Sequence, residues 1–479
     1  MNGGGTAVRS TDTSGPFGNT MGRPFVSDTL ILPDYLGHIV RSSRGLRTRS
    51  SPAARSVDTR YFASIEPCAR SVINDFTTDF GGLHRAVPRA VHRVPSVSPT
   101  ELLRSGKPIT LRGTGHSCGG QTVTDNELLV THAPDTYARD IRDLGGGLIE
   151  VPSGASWYAL ERHLNRHGRS VPVLPNYLHM SVGGTLSVGG IGITSARHGM
   201  QIDHIERIRL IDGTGTGRWC SRTDHPELFR FALGGLGTVG LIERVVLRSA
   251  PYRRFAHVHR AHHRTVADLV EHTERIARCD EVDIFWASVR RNRFRSATGW
   301  ISDEPEHCDA ETCVRVPDLP FAWDREPERA TDRVRLWTDY LVPAGQLAPM
   351  VAAVEAHRLR PPLDRARTML YLLIVRRRAD AVPFAFAPAA NAPVSIGVGI
   401  YTWVDRDPAA TAAVRGVFDD LLRRCCELGG RPYLYGADDL DVDLAERLYG
   451  ADPSRLRQLR SAHRLEHVNA HLGLVRHSL

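Results

Sequence analysis

The residues best placed to do chemistry lie in the run Arg112-Gly113-Thr114-Gly115-His116-Ser117-Cys118-Gly119-Gly120-Gln121. It follows directly on the strand-like segment Pro108-Ile109-Thr110-Leu111. Glycines at alternate positions let a turn aim successive backbone N–H groups at one point, which suits a pyrophosphate. An imidazole and a hydroxyl, His116 and Ser117, stand at its far end. The same composition also serves a plain turn, so its meaning depends on what else the chain carries.

A second run, Pro175-Asn176-Tyr177-Leu178-His179-Met180-Ser181 through Gly183-Gly184-Thr185 to Ser187, Gly190, Ile191 and Gly192, is too glycine-dense for a strand or helix interior. Its small residues and hydroxyls suit a backbone lying flat on a ligand. A third run, Gly235-Leu236-Gly237-Thr238-Val239-Gly240, matches the dinucleotide fingerprint G-x-G-x-x-G letter for letter. Its context is reversed. The fingerprint needs a strand before the glycines and a helix after them, whereas here a helix at Pro226 to Leu233 precedes a strand at Leu241 to Leu247. These glycines read instead as a helix C-cap leading into a strand, with backbone pressed against a ligand.

The surrounding elements read as an α+β chain. Residues 1–65, rich in Gly, Ser, Thr, Arg and Pro, form an extension that is partly disordered. From 66 to 248 short strands, glycine turns and modest helices alternate. Ser98 or Thr100 can cap a helix leading to Lys107. Ile205 to Ile211 and Arg218 to Ser221 flank Asp212-Gly213-Thr214-Gly215 as a hairpin, and Thr223 to Glu227 supply the start of the next helix. From 249 to 432 long strands (Arg254 to Arg260, Val282 to Val289, Met369 to Arg376, Ser395 to Val404) alternate with helices at 264–278, 343–357 and 408–427. This predicts an antiparallel sheet covered by helices on one face. Residues 433–479 carry short helical pieces and return to the first domain.

Composition narrows the function classes. The apolar share of 41% and charged share of 24% are those of an ordinary soluble globular protein. The net charge of +8 invites a nucleic-acid reading, but the arginines are interleaved with acids rather than gathered on one stripe. Lys107 is the sole lysine, a skew that with abundant Ala, Gly and Pro suggests a GC-rich bacterial genome. Eight cysteines in this length make no disulfide framework. Cys308 and Cys313, beside His307, lack a second ligand pair and read as surface thiols, so no metal is expected. No stretch is long enough to span a bilayer and no secretory signal opens the chain; a cytoplasmic location is expected.

Taken together, the three glycine runs and Arg197-His198-Gly199 resemble the PCMH-type FAD-binding domain of the vanillyl-alcohol oxidase superfamily, nearest its cytokinin dehydrogenase-like and aldonolactone oxidase-like members. The resemblance covers residues 79 to 248, with a further match at 431–440. It implies FAD as cofactor, with Gly113, Thr114, Gly115, Ser117 and Gln121 around the pyrophosphate. His116 matches the histidine that bonds covalently to the flavin 8α-methyl. No cysteine lies between Pro175 and Gly192, so a single histidyl link is implied. Ser181, Gly184, Thr185, Ser187, Gly190 and Ile191 match flavin-contacting positions, and Gly240 and Ile242 match the adenine end. Tyr433 matches a tyrosine near the isoalloxazine ring and Asn469 the polar residue of the closing motif.

Two departures concern catalysis. Asn176 stands where cytokinin dehydrogenases carry an aspartate base, and Trp286 where they carry a second acid. A neutral amide can orient a substrate but cannot take its proton. Both argue against a cytokinin as substrate. His179, Tyr433 and Asp339 are then the candidate bases, in that order, and Trp286, Tyr401, Trp403 and Tyr433 the candidate pocket wall. The expected activity is hydride removal from a C–H bond α to oxygen or nitrogen of a small molecule, with oxygen or another acceptor reoxidising the flavin. A flavin-binding scaffold that has lost its base is the alternative.

Overall fold

The computed structural model describes residues 75–125, 127–132, 140–304, 313–324, 333–364, 367–389 and 391–475. The expected N-terminal extension, His307 and Cys308 lie outside the described residues. Two sheets carry the glycine runs. Strands β1 (Ala90–Val94), β2 (Ile109–Arg112) and β3 (Leu128–His132) form a small parallel sheet in the order β1-β3-β2. Strands β4 (Arg142–Gly145), β5 (Leu148–Pro152), β7 (Ile205–Ile211), β8 (Gly217–Ser221) and β9 (Leu241–Arg248) form an antiparallel one in the order β4-β5-β9-β7-β8. The short strands β6 (Arg169–Ser170) and β10 (Ala250–Pro251) pair with each other.

The reversed glycine motif behaves as its context dictates: helix Pro226–Ala232 comes first and β9 follows. β7 and β8 pair as the expected hairpin. Ser98, not Thr100, caps helix Pro99–Arg104, accepting from the Glu101 N–H at 3.4 Å. At the Pro226 helix the cap position falls to His225, held at φ 45°, with no side-chain cap bond. A proline excludes helical backbone from the residue before it, which moves the cap away from Thr223.

The third sheet holds eight antiparallel strands: β11 (Phe255–His263), β12 (Ile284–Arg290), β13 (Arg293–Ser302), β14 (Cys313–Pro317), β15 (Arg333–Pro343), β16 (Thr368–Arg376), β17 (Val394–Asp405) and β18 (Arg431–Pro432). Their order is β14-β11-β13-β12-β16-β17-β15-β18. Successive side chains on a strand point to opposite faces. Phe285, Ala287, Leu370, Leu372, Ile396 and Val398 therefore share a core with helices Val266–Ala277, Leu347–Arg358 and Pro408–Glu427. Ile284, Trp286, Met369, Tyr371 and Leu373 form a second cluster on the other face, against Ile193. On β15 the alternation aims Trp337 and Asp339 at that second face, while Thr338 and Tyr340 face the helices, where the Tyr340 hydroxyl donates to the Phe418 carbonyl at 2.9 Å.

Strands β13, β14 and β15 were not legible as strands. Arginines interrupt their apolar alternation, as in Arg293-Phe294-Arg295 and Arg333-Val334-Arg335, and pairing with neighbours overrides the local signal. Cys313 is disulfide-bonded rather than the expected free thiol. Cys425, by contrast, is a buried core thiol on its helix, and its neighbour Cys426 is half-buried. Among the described residues no helix is long and apolar enough to cross a membrane.

The C-terminal stretch docks on β2. The Ile109 N–H donates to the His467 carbonyl at 2.9 Å, and the Asn469 N–H donates to the Ile109 carbonyl at 2.8 Å. The Asn469 side chain closes the contact: its Oδ1 accepts from the Leu111 N–H and its Nδ2 donates to the Leu236 carbonyl, each at 2.8 Å. One buried amide thus ties the strand before the first glycine run to the loop of the third. Replacing Asn469 with Ala leaves a buried donor and acceptor unpaired, at a cost of about 2–3 kcal/mol. Urea unfolding of Asn469→Ala should show a lowered midpoint with an unchanged slope.

Candidate functional site

The three glycine runs and the second face of the large sheet enclose one long cleft, about 1620 Å³ with its open mouth included. Its walls include Gly113, Thr114, Gly115, His116, Ser117 and Gln121 from the first run. The second run contributes Asn176, Ser181, Gly184, Thr185, Ser187, Gly190 and Ile191, and the third leads in Gly240 and Ile242. Tyr433 completes the far end.

Close approach explains the glycines. A Cβ on Gly113 would lie 2.5 Å from Ser181 Oγ and 3.2 Å from the Gly184 Cα, so the first two runs touch backbone to backbone. A Cβ on Gly119 would lie 2.6 Å from the Gly436 carbonyl oxygen, which lets the first run press on the segment after β18. Gln121 fastens that contact: its Oε1 accepts from the Gly119 N–H at 2.8 Å, and its Nε2 donates to the carbonyls of Leu434 and Gly436 at 2.9 and 2.7 Å.

The polar lining fits a dinucleotide. The hydroxyls of Thr185 and Ser187 are satisfied inside the second run, through the Val182 and Gly183 carbonyls. Ser181 Oγ, Thr122 Oγ1 and Gln201 Oε1 are buried on the cleft with no protein partner. Each such group costs about 1–3 kcal/mol, a cost that a bound ligand with complementary atoms removes. His132, also on the cleft, lies 3.2 Å from Ser153 Oγ. Burial pushes its pKa down to about 4, so it stays neutral and can offer one donor and one acceptor. Sequence reading missed His132; only the β2-β3 pairing reveals that the end of β3 borders the first glycine run.

His116 stands at the aromatic end. Its ring lies 4.8 Å from Phe80 and 5.0 Å from Tyr177 between centroids, and Thr114 Oγ1 is 3.2 Å from its Nδ1. Phe80 in turn meets Trp337, and Trp337 meets Tyr401. Beside them Asp339 is buried and lines the cleft. Tyr435 donates to its Oδ2 at 2.6 Å and Tyr401 to its Oδ1 at 3.1 Å. Burial outweighs both hydrogen bonds and pushes the carboxyl up to about 6. Burial and the Asp339 charge hold the Tyr433 phenol above its ordinary value, although the backbone N–H groups of Ile191 and Gly190 favour its ionised form.

Three sequence candidates fall outside the cleft walls. His179 lies 3.2 Å from Asp324 Oδ2 and stacks on Tyr158, with 44% of its side chain exposed. Trp286 is buried in the apolar cluster with Ile193 and Tyr371. Asn469 acts one layer behind, on β2 and Leu236. A fourth, Trp403, shares the sheet face of Tyr401 but lies beyond the cleft, with the Arg335 guanidinium 4.3 Å from its ring centroid. Tyr435 went unread; it sits in the turn after β18, its ring edge-on to that of Tyr433 at 4.9 Å between centroids.

The fold and cleft define a PCMH-type FAD-binding domain: residues 101–221 match the family described as FAD binding domain. The chain is 33% identical over 208 residues to cytokinin dehydrogenase 5 of Oryza sativa subsp. japonica, a match covering 40% of this chain and 38% of that protein. It is 32% identical over 176 residues to an uncharacterized oxidoreductase in the fasciation locus of Rhodococcoides fascians, covering 36% and 39%. With cytokinin dehydrogenase 1 of Arabidopsis thaliana it shares 31% over 193 residues, covering 38% and 33%. The matches therefore span less than two-fifths of these relatives' length. Residues 101–221 thus match a FAD binding domain, and over about two-fifths of its length the chain is similar to cytokinin dehydrogenases.

The raised Asp339 carboxyl bears on stability. A folded-state pKa above the ordinary 3.8 favours the fold while the group is protonated, and that contribution is lost as pH rises through about 6. Asp339→Asn removes the buried charge. Its melting temperature relative to the unsubstituted protein should therefore be higher at pH 8 than at pH 5, the difference amounting to a few degrees. A difference independent of pH would contradict a buried, titrating Asp339.

Proposed function

We propose that this protein is a FAD-dependent oxidoreductase, an oxidase or a dehydrogenase. It takes hydride from a C–H bond α to oxygen or nitrogen of a small molecule, and oxygen or another acceptor restores the cofactor. The chain divides into a FAD-binding domain over 66–248, a substrate domain over 249–432 and a return segment over 433–479. The buried carboxylate of Asp339, facing the cleft among aromatic rings, is the observation that carries the reading. It supplies a proton acceptor where Asn176 cannot, and so favours a working enzyme over a flavin-binding scaffold.

FAD, when bound, supplies a two-electron acceptor that takes hydride from carbon. The first glycine run would hold the cofactor's pyrophosphate, with Ser181, Thr185, Ser187 and His132 as further contacts, and His116 would be its covalent tether. Asp339 takes the proton released from the substrate's heteroatom, its orientation fixed by Tyr435 and Tyr401. The tyrosines stay protonated and donate hydrogen bonds. Trp337, Tyr371 and Tyr401 exclude water, which strengthens those bonds. The disulfide at Cys313 belongs to an oxidising compartment and weighs against the expected cytoplasmic location.

Acid precipitation separates bound from bonded flavin. The yellow chromophore should stay with the precipitated protein, and His116→Ala should release it while still purifying with some FAD. Flavin released from the unsubstituted protein would refute the tether and leave FAD binding intact. A general base titrating at about 6 sets the pH profile. In single-turnover mixing with a panel of alcohols, amines and sugars, flavin reduction should accelerate as pH rises through that value and level off above it. Asp339→Asn should slow reduction about 100-fold or more and flatten the profile.

A further inference from the structure

Beside the flavin cleft lies a second cavity, between the second glycine run and the edge of the large sheet. The two share a wall: Pro175 and Asn176 line both. On the sheet side its floor is Ala256 and Ile301, a directly opposed pair of β11 and β13 on the same sheet face as Tyr371 and Asp339. Leu174, Ile193 and Leu319 add apolar wall. The charges are unbalanced, for Arg197, Arg253 and Arg254 face a single lining carboxylate, Asp283. That carboxylate is already engaged, its Oδ2 accepting the Ile301 N–H at 2.9 Å and its Oδ1 lying 3.8 Å from Arg197 Nε. Arg254 reaches Asp318 only at 3.9 Å with its side chain 56% exposed, and Arg253 donates to the Ile301 carbonyl at 3.3 Å. His198 adds no positive charge, since burial lowers its pKa and keeps it neutral.

We propose that this cavity is the substrate's approach to the flavin cleft and that the substrate joins an apolar body to an anionic group, with Asn176 at the threshold between the two spaces. The proposal rests on the oxidoreductase reading and adds the substrate class. Asn176 shares the cleft wall with Tyr371, whose ring stacks 6.2 Å from that of Tyr401, and Tyr401 donates to Asp339. An anion held by the arginines would pass close to this residue. A carboxylate there would repel it in a low-dielectric wall; a neutral amide does not.

Two probes of equal shape test this on the purified holoprotein: 3-phenylpropionate and 3-phenylpropanol. Calorimetry at low salt should show the acid binding roughly tenfold tighter than the alcohol, a preference that shrinks in about 0.5 M salt. The double variant Arg197→Gln/Arg254→Gln should lose the preference and leave alcohol binding unchanged. Asn176→Asp should weaken the acid alone. The acid should also perturb the flavin absorption bands, as an approach leading to the cleft requires. Equal binding of the two probes, or a preference that survives the double variant, overturns the anionic class. Acid binding without a flavin shift overturns the role as an approach. A protein purified without flavin would defeat the oxidoreductase reading, while the calorimetric comparison would still decide the anion preference.

Discussion

The site depends on one clamp. Residues 433–437 are held between the edge of β15 and the first glycine run, and both sides of the clamp are main-chain contacts. On one side Tyr433 and Ala437 donate to the Asp339 and Trp337 carbonyls at 2.8 Å each. On the other, Cys118 donates to the Tyr435 carbonyl at 2.8 Å, and Gln121 reaches the carbonyls of Leu434 and Gly436. The segment that carries Tyr433 and Tyr435 therefore cannot move without moving the turn that carries His116. Cofactor turn and candidate base are fixed against each other by the same few bonds, as catalytic geometry requires.

That rigidity carries an electrostatic cost. Asp79 and Asp339 are buried within this region and Asp438 half-buried, and desolvation pushes their carboxyls up to about 6, 6 and 7. Asp79 is pulled back only by backbone N–H groups of the loop at 82–84 and Gly120, and Asp438 by the hydroxyls of Thr338 and Tyr340. The β15 alternation separates the two acids by function. Asp438 meets Thr338 and Tyr340, the even-numbered neighbours of Asp339, behind the sheet, while Asp339 meets the cleft. Buried groups with shifted titration cluster where function demands them, and here one strand distributes them to opposite faces.

How much of this was legible follows from distance along the chain. The glycine runs were readable because close backbone approach demands glycine locally, at Gly113 and Gly119 themselves. The reversed motif was readable for the same reason, since the order of helix and strand around Gly235 to Gly240 is a local property. Asp339 was visible only as a third-choice base. Its meaning comes from β15 pairing with β17, which sets Tyr401 beside it, and from a segment almost a hundred residues on that supplies Tyr435. His179 and Trp286 went the other way. His179 read as the first candidate base and Trp286 as the match to a family acid, yet Asp324 draws His179 to the surface and apolar packing keeps Trp286 inside its cluster.

The basicity of Asp339 depends on what does not pair with it. Arg335 lies on the same strand and the same face, four residues away, and it is 2% exposed. A buried arginine against a carboxylate would hold the acid in its charged form and drive its pKa well below the ordinary range. Trp337 stands between the two, and the guanidinium lies over the rings of Phe80, Trp337 and Trp403 at 4.3–4.4 Å. Arg335 is accordingly absent from the influences on Asp339, which are burial, Tyr435 and Tyr401. The cation's charge is spent on ring faces, an interaction worth about 2 kcal/mol or more when desolvated. The carboxyl is left near neutrality, where it can take a proton and give it back. Three side chains at alternate positions of one strand thus keep a cation buried, an aromatic wall stiff and an acid weak enough to act as a base.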